Sequence, residues 1–368
     1  MIRRFIALGV IAAAVAAQSD GAEASKRAYF WFGIAPDFLV KFDPAQDKEV
    51  GRIKLKHGVS FGAYLTHNKK KILVSSGKRT VIEEVDLARM EVVEEHDFKQ
   101  DGFRVSIGTV REIPGGTHWY VQIRKFKVEI DRFSKAPTEW LLYNVEEQEV
   151  EKRMKELPKE IRRGARISPC GEKWHVFSGD LKIVDPKTLK VEATVELSKP
   201  RFTGTNGLSV RGTDLFNHGN PDAYRLVYTM RDPVKTSRTT FGLVDICLKE
   251  NKVTKVTEWG WNPPVFTWRL SQDGKRAVGQ TSSRGSGNLA GDPMLGLVAW
   301  DMETGKKLAE KRVPSRNGLR FAAVSPDGRK AYLRGRGHEL VVFDENFEYL
   351  KTIEMAGELQ HTIFVIEE

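Results

Sequence analysis

Residues 321–354 read FAAVSPDGRKAYLRGRGHELVVFDENFEYLKTIE, and within them lies one complete structural unit. Phe321–Ser325 is a short run of small and apolar residues, and Pro326-Asp327-Gly328 is a tight turn. Lys330–Leu333, Leu340–Asp344 and Tyr349–Glu354 follow as three further β-rich runs separated by Gly, Asp and Asn. Four short strands joined in sequence make an antiparallel meander. An earlier stretch repeats the plan: Arg166–Ser168, the turn Pro169-Cys170-Gly171, Trp174–Phe177, Ser178-Gly179-Asp180, Leu181–Asp185 and Val191–Leu197.

Working outward from Asp344, the same signal recurs. An apolar run ends in Asp or Asn at Asp43, Asp86, Asn144, Asp185, Asp245, Asp301 and Asp344, with spacings of 43, 58, 41, 60, 56 and 43 residues. A period of about 50 lies in the range of a propeller blade and well above a helical solenoid repeat. An Asx side chain at that point bonds the backbone two residues on and closes the hairpin to the next strand. The expected fold is all-β: a seven-bladed β-propeller of four-stranded antiparallel blades. The chain enters at what reads as the second strand of blade 1 (Ala28–Phe32) and ends on an orphan run, His361–Glu367. That C-terminal strand is expected to join the first blade and close the ring.

Strands are lettered A to D from the axis outward. The A strands carry GAYLT (62–66), TVREI (109–113), GARIS (164–168), TWRLS (267–271) and FAAVS (321–325). Their third place holds Arg111, Arg166 and Arg269 in three blades, and Glu112 breaks the rule of an apolar fourth place. Two readings of the arginines stand: ion pairs with carboxylates of neighbouring blades, or a basic collar in the central channel. The B–C and D–A loops share one face, which collects basic residues including Lys78, Arg79, Arg284 and Arg316. On it Arg334, Arg336 and His338 occupy the loop RGRGH, Arg320 and His361 begin adjoining A strands, and Trp268 begins that of blade 6. Their convergence at a channel mouth would bind a carboxylate or an acidic protein surface, since the guanidinium fork accepts carboxylate in bidentate fashion. A set of solvated charges is the competing reading. Gln280–Asp292, rich in Gly and Ser, is a lid candidate, and Arg124–Thr138 lengthens blade 3 as an extended hairpin.

The first 24 residues read as a secretory signal: Arg3 and Arg4, an apolar stretch from Phe5 to Ala17, then small residues permitting cleavage near residue 17 or 24. The apolar stretch is too short to span a bilayer, and no later segment is long enough. Residues 25–368 are then the propeller, periplasmic or secreted. The net charge of +10 is interspersed rather than gathered into basic tracts, which disfavours nucleic acid and favours an anionic small molecule or an acidic protein. Cys170 and Cys247 are the chain's 2 cysteines, and no C-x-x-C-H haem site is present. Their proposed turns lie at different radii, so two free thiols are expected. No G-x-S-x-G elbow, H-E-x-x-H, P-loop or EF-hand occurs, and no metal ligand set stands out. No catalytic residue is assigned.

The stretches IRKFKVEIDRFSKAPTEWLLYN (123–144), GARISPCGEKWHVFSGDLKIVDPKTLKV (164–191) and YTMRDPVKTSRTTFGLVDICLKENKV (228–253), with the SPDG-type turns, carry a family likeness. The chain resembles the YVTN-type propellers of the quinoprotein amine dehydrogenase group, and in particular the quinohemoprotein amine dehydrogenase beta-subunit family. The resemblance spans nearly the whole chain after the signal. It implies a periplasmic propeller without a covalent cofactor of its own, whose partner subunits bring haem and a peptide-derived quinone and share with it the wall of the amine pocket. It transfers no individual site residue. A stand-alone propeller binding an anionic ligand or acidic partner, and an independent hydrolase or lactonase, are the other functional classes.

Overall fold

The structure, a computed structural model, describes residues 27–60, 62–154, 166–168, 171–199, 207–215, 220, 222–232, 234, 239–262, 265–281, 294–314, 319–335 and 337–368. The signal segment, Cys170, Arg336 and most of the Gln280–Asp292 insertion lie outside them, as do Arg284 and Arg316.

The strands run in chain order as β1 (Ala28–Ile34), β2 (Phe38–Asp43) and β3 (Lys48–Lys54) in blade 1, and β4 (Gly62–Leu65), β5 (Lys71–Ser76), β6 (Val81–Asp86) and β7 (Glu91–Asp97) in blade 2. Blade 3 has β8 (Phe103–Glu112), β9 (His118–Val128), β10 (Phe133–Lys135), β11 (Glu139–Asn144) and β12 (Glu149–Met154). Blade 4 has β13 (Arg166–Ile167), β14 (Trp174–Ser178), β15 (Asp180–Val184) and β16 (Val191–Val195). Blade 5 has β17 (Ser209–Leu215), β18 (Ala223–Arg231), β19 (Thr239–Cys247) and β20 (Lys252–Asn262). Blade 6 has β21 (Val265–Leu270), β22 (Arg276–Thr281), β23 (Met294–Asp301) and β24 (Lys307–Pro314). Blade 7 has β25 (Arg320–Val324), β26 (Ala331–Arg334), β27 (Glu339–Phe343) and β28 (Tyr349–Glu354). The last strand, β29 (Leu359–Glu367), pairs antiparallel with β1 and completes blade 1 in the order β29-β1-β2-β3. Seven antiparallel blades therefore form a closed ring, and no α-helix occurs among the described residues.

The expected hairpin chemistry is visible atom by atom. Asx carboxyl or amide oxygens accept the backbone N–H two residues on at Asp43, Asp86, Asn144, Asp185, Asp301 and Asp344. Asp245 differs: its carboxylate takes a two-point bond from Arg225 at 2.7 and 3.2 Å. The A–B turns use a second device. Ser325 donates to Asp327 at 2.5 Å and accepts the Lys330 N–H, and Ser271 does the same with Asp273 and Arg276.

The core lies between blades, because each sheet buries both faces against its neighbours. Seven apolar clusters fill the seven contacts; the one that closes the ring joins Phe30, Phe32 and Phe42 to Tyr332, Leu340 and Val342. Polar inter-blade bonds accompany them. Glu112, the acidic exception in its A strand, accepts the His67 backbone N–H of blade 2, and burial raises its carboxyl pKa. In blade 3, β10 continues the line of β11 past residues 136–138, so β9 and β10 form a hairpin that extends the blade beyond the β9–β11 pairing.

Candidate functional site

The first strands of the blades face the axis: β4 meets β29 and β8, and β25 meets β21 and β29. Arg111, Arg166 and Arg269 all fall in these strands and are half-buried. Arg111 donates to the Val110 carbonyl at 2.8 Å, and its guanidinium lies 5.4 Å from the centre of the Tyr64 ring in the preceding blade. No carboxylate lies within ion-pairing distance of Arg111 among the described residues, and burial lowers its pKa. Arg269 repeats the geometry, donating to the Trp268 carbonyl at 2.8 Å and to Ala322 of blade 7 at 3.2 Å. These two arginines thus tie neighbouring inner strands together through rings and carbonyls.

Arg166 stands opposite His175 across β13 and β14. His175 is buried, its Nδ1 meets the Tyr224 hydroxyl of blade 5, and burial, aided by the Arg166 charge, holds its pKa down at about 4. The folded protein therefore keeps this imidazole neutral where an unfolded chain would protonate it below about pH 6.5. The contribution is whole above that value and is lost as pH falls towards 4. We expect this group to cost up to about 3 kcal/mol of stability across that window. In urea titrations, His175→Phe should show a fall in stability from about pH 7 to about pH 5 that is smaller by about 2 kcal/mol than in the parent protein. Equal pH slopes in the two proteins would remove His175 from the acid response.

In blade 7, Arg320 and Arg334 are cross-strand neighbours on β25 and β26. Burial, with the Arg320 charge beside it, lowers the Arg334 pKa, and Arg334 Nη1 donates to the Leu359 carbonyl at the start of β29 at 3.0 Å. His361 follows two residues later on the same strand, and His338 is exposed in the β26–β27 connection. Trp268 belongs elsewhere. It is 5% exposed, and its ring packs on Phe241 and Trp300 in the contact between blades 5 and 6. The structure thus brings Arg320 and Arg334 together beside the start of β29 and leaves Trp268 to the core.

A polar cluster in blade 2 falls outside the site residues expected from the sequence. Glu84, Glu94 and His96 each bring a ligand-type atom within 4.8 Å of the others. Lys71 already pairs with Glu84, Gln148 donates to Glu94 at 2.8 Å, and His96 Nδ1 meets the Tyr143 hydroxyl at 3.1 Å. Burial lowers the His96 pKa, so the ring is neutral, and the Lys71 ammonium supplies the cation that balances Glu84. The cluster is arranged as an inter-blade network. Its signal in the sequence was the pair of acids inside the C strand VIEEVD.

Between blades 2 and 3 a half-open cleft of about 570 Å³ is lined by Ser60, Lys78, Arg79, Arg104, Val105, Ser106, Phe126 and Phe133. Lys78 and Arg79 were placed on this face by the blade pattern; Arg104 and the two phenylalanines were not. Their signal was the lengthened β8 and β9.

No protein-family model matches the sequence, and no curated protein sequence matches it. Among solved structures, a functionally unknown protein from Desulfotomaculum acetoxidans aligns with a TM-score of 0.50 at 12% identity, covering 92% of this chain and 98% of that one. Hydrazine synthase from Kuenenia stuttgartiensis aligns at 0.47 and 14% identity over 84% of this chain and 95% of that one. The dihydro-heme d1 dehydrogenase NirN aligns at 0.49 and 15% identity over 91% of this chain and 74% of that one. At these identities the likeness concerns the fold.

Proposed function

We propose that this chain is an exported propeller subunit of an amine dehydrogenase-like complex, which docks its partners through the blade 3 hairpin and holds no covalent cofactor itself. A propeller fold alone hosts many activities and does not choose among them. The observation that carries the reading is the hairpin tip. Val128, Ile130 and Phe133 are 51%, 108% and 58% exposed, and they sit in the very stretch that carries the family likeness. Large apolar side chains grouped at a projecting tip are a usual mark of a protein contact. Redox groups would then belong to the partners: a haem-bearing subunit and a quinone-bearing subunit, with this chain supplying scaffold and pocket wall.

The experiment is affinity purification from the native periplasm after growth on amines, comparing the parent chain with an Ile130→Asp, Phe133→Ser double variant. The parent should bring down a haem-bearing protein. The variant should lose it at least tenfold, with its melting temperature unchanged, because neither side chain is buried in the free chain. A parent chain that purifies alone under every amine condition would refute the subunit reading. The basic cleft favours a second reading, a propeller that takes an organic anion directly.

A further inference from the structure

We propose that the cleft between blades 2 and 3 is a binding site for an organic anion that carries an aromatic or alkyl body, its acidic group held by Lys78, Arg79 and Arg104. The volume, about 570 Å³, suits a small molecule rather than a single ion. Among its described lining residues three are cations and none is a carboxylate. Among the described residues none of the three pairs with an acid. Such a set repels itself, and a bound anion relieves that repulsion.

The backbone points the same way. Gly77, Lys78 and Arg79 take φ of 55°, 58° and 70° in succession, a left-handed turn that glycine adopts freely and long side chains adopt at a cost. Other non-glycine residues take such a conformation singly, at turns away from the cleft; Lys78 and Arg79 do so in succession, and both line it. The opposite wall comes from the lengthened strands. Arg104 stands across from Phe126 in the β8–β9 pairing, and its guanidinium lies 6.0 Å from the centre of the Phe133 ring. That fork is directed along an aromatic face, so a ligand ring can stack on the phenylalanines while its acid group meets guanidinium. Ser60 and Ser106 add hydroxyls to the lining. The site is complete within one chain; Phe133 also belongs to the docking hairpin of the subunit reading, and changes at Lys78 and Arg79, which leave that hairpin untouched, separate the two.

The test uses the purified full chain alone, titrated calorimetrically with phenyl phosphate and phenylacetate at low salt. At least one aryl anion should bind saturably, and at least tenfold tighter than benzyl alcohol, which lacks the charge, or inorganic phosphate, which lacks the body. High salt should weaken it. The decisive variant is Lys78→Gly with Arg79→Gly, which removes both charges and the strain together. It should bind at least tenfold more weakly while its melting temperature stays equal or rises. Arg104→Gln should lose a similar factor with the fold intact. Absence of saturable binding by either aryl anion would overturn the proposal. So would unchanged binding in these variants, and inorganic phosphate binding as tightly as phenyl phosphate would remove the apolar body from it.

Discussion

Removing His361–Glu368 should abolish the cooperative fold. The segment supplies most of β29, whose pairing with β1 runs from Ala28 opposite Glu367 to Ile34 opposite Leu359. It also supplies Ile363 and Ile366, which are buried in the contacts of blade 1 with blades 7 and 2. Burial of two such side chains is worth about 1.5–3 kcal/mol each. The strand's hydrogen bonds and the newly exposed edge of β1 add to that, against a total domain stability of about 5–15 kcal/mol. Arg27 and Glu368 exchange backbone hydrogen bonds at 3.1 and 2.8 Å, and Lys41 pairs with the Glu368 carboxylate, so the last residue is anchored too. Calorimetry should show no native transition for the truncated chain, and its uncovered β1 edge should drive association. A rescue separates topology from composition. Since Glu367 lies opposite Ala28, residues 359–368 moved ahead of residue 27 through a two-residue turn should pair as a hairpin and restore melting. A truncated chain that melts like the parent would contradict the closed ring.

Much of the ring was legible because blades repeat a local code. The Asx hairpins and the Ser-Pro-Asp-Gly turn depend on residues within a few positions of one another, and alternation with turn chemistry reports such contacts directly; the C-terminal strand was legible as an unpaired run left over by that count, although its partner β1 lies at the other end of the chain. Glu83 and Glu84 show where that code ends. Two acids in a strand suggest a solvated face, yet both are buried: Glu83 accepts the N–H groups of Lys56 and His57, and Glu84 takes Lys71. Those partners lie on other elements, and no periodicity encodes them. The inner-strand arginines Arg111 and Arg269 were legible by position but not by partner, since Tyr64 and Ala322 belong to neighbouring blades. Trp268 misled for a related reason: its place at the start of an A strand says nothing of which way the ring packs, and Phe241 and Trp300 made the core its better environment. The basic cleft required both kinds of information. Lys78 and Arg79 could be placed on a face by blade counting, but Arg104 and Phe126 reach it only through the lengthening of β8 and β9.

Asp47→Ala should be the most damaging single substitution outside the apolar core. Asp47 sits in the β2–β3 turn of blade 1 and reaches blade 7, where its carboxylate accepts from Lys330 and Lys351 at 2.8 Å each and from the Tyr332 hydroxyl at 2.6 Å. Burial alone would raise its pKa, but the bonds from Lys330, Lys351 and Tyr332 outweigh it and hold the carboxyl below the ordinary aspartate value. The same contact places Lys330 and Tyr332 on the Pro44 carbonyl at 3.1 Å, so one turn latches the ring where its first and last blades meet. Alanine would take the carboxylate from both ammonium groups and the hydroxyl, leaving Lys330 and Tyr332 the Pro44 carbonyl and Lys351 to solvent, and it adapts poorly to a backbone with φ of 51°. Allowing for the solvent that reaches both lysines, the loss should be about 3 kcal/mol. Asn, which tolerates the left-handed backbone and keeps an acceptor for Tyr332, should lose about half of that, and Tyr332→Phe about 1 kcal/mol. Because the Asp47 pKa is lowered in the fold, its contribution is present above the unfolded value of about 4 and is lost only as pH falls through the lower folded value. The latch should therefore survive at about pH 5, where the His175 contribution is already fading. A double-mutant cycle of Asp47→Ala with Tyr332→Phe, followed by urea unfolding, measures the coupling across the junction. Additive effects would mean that the Tyr332 hydroxyl adds nothing to the latch through Asp47.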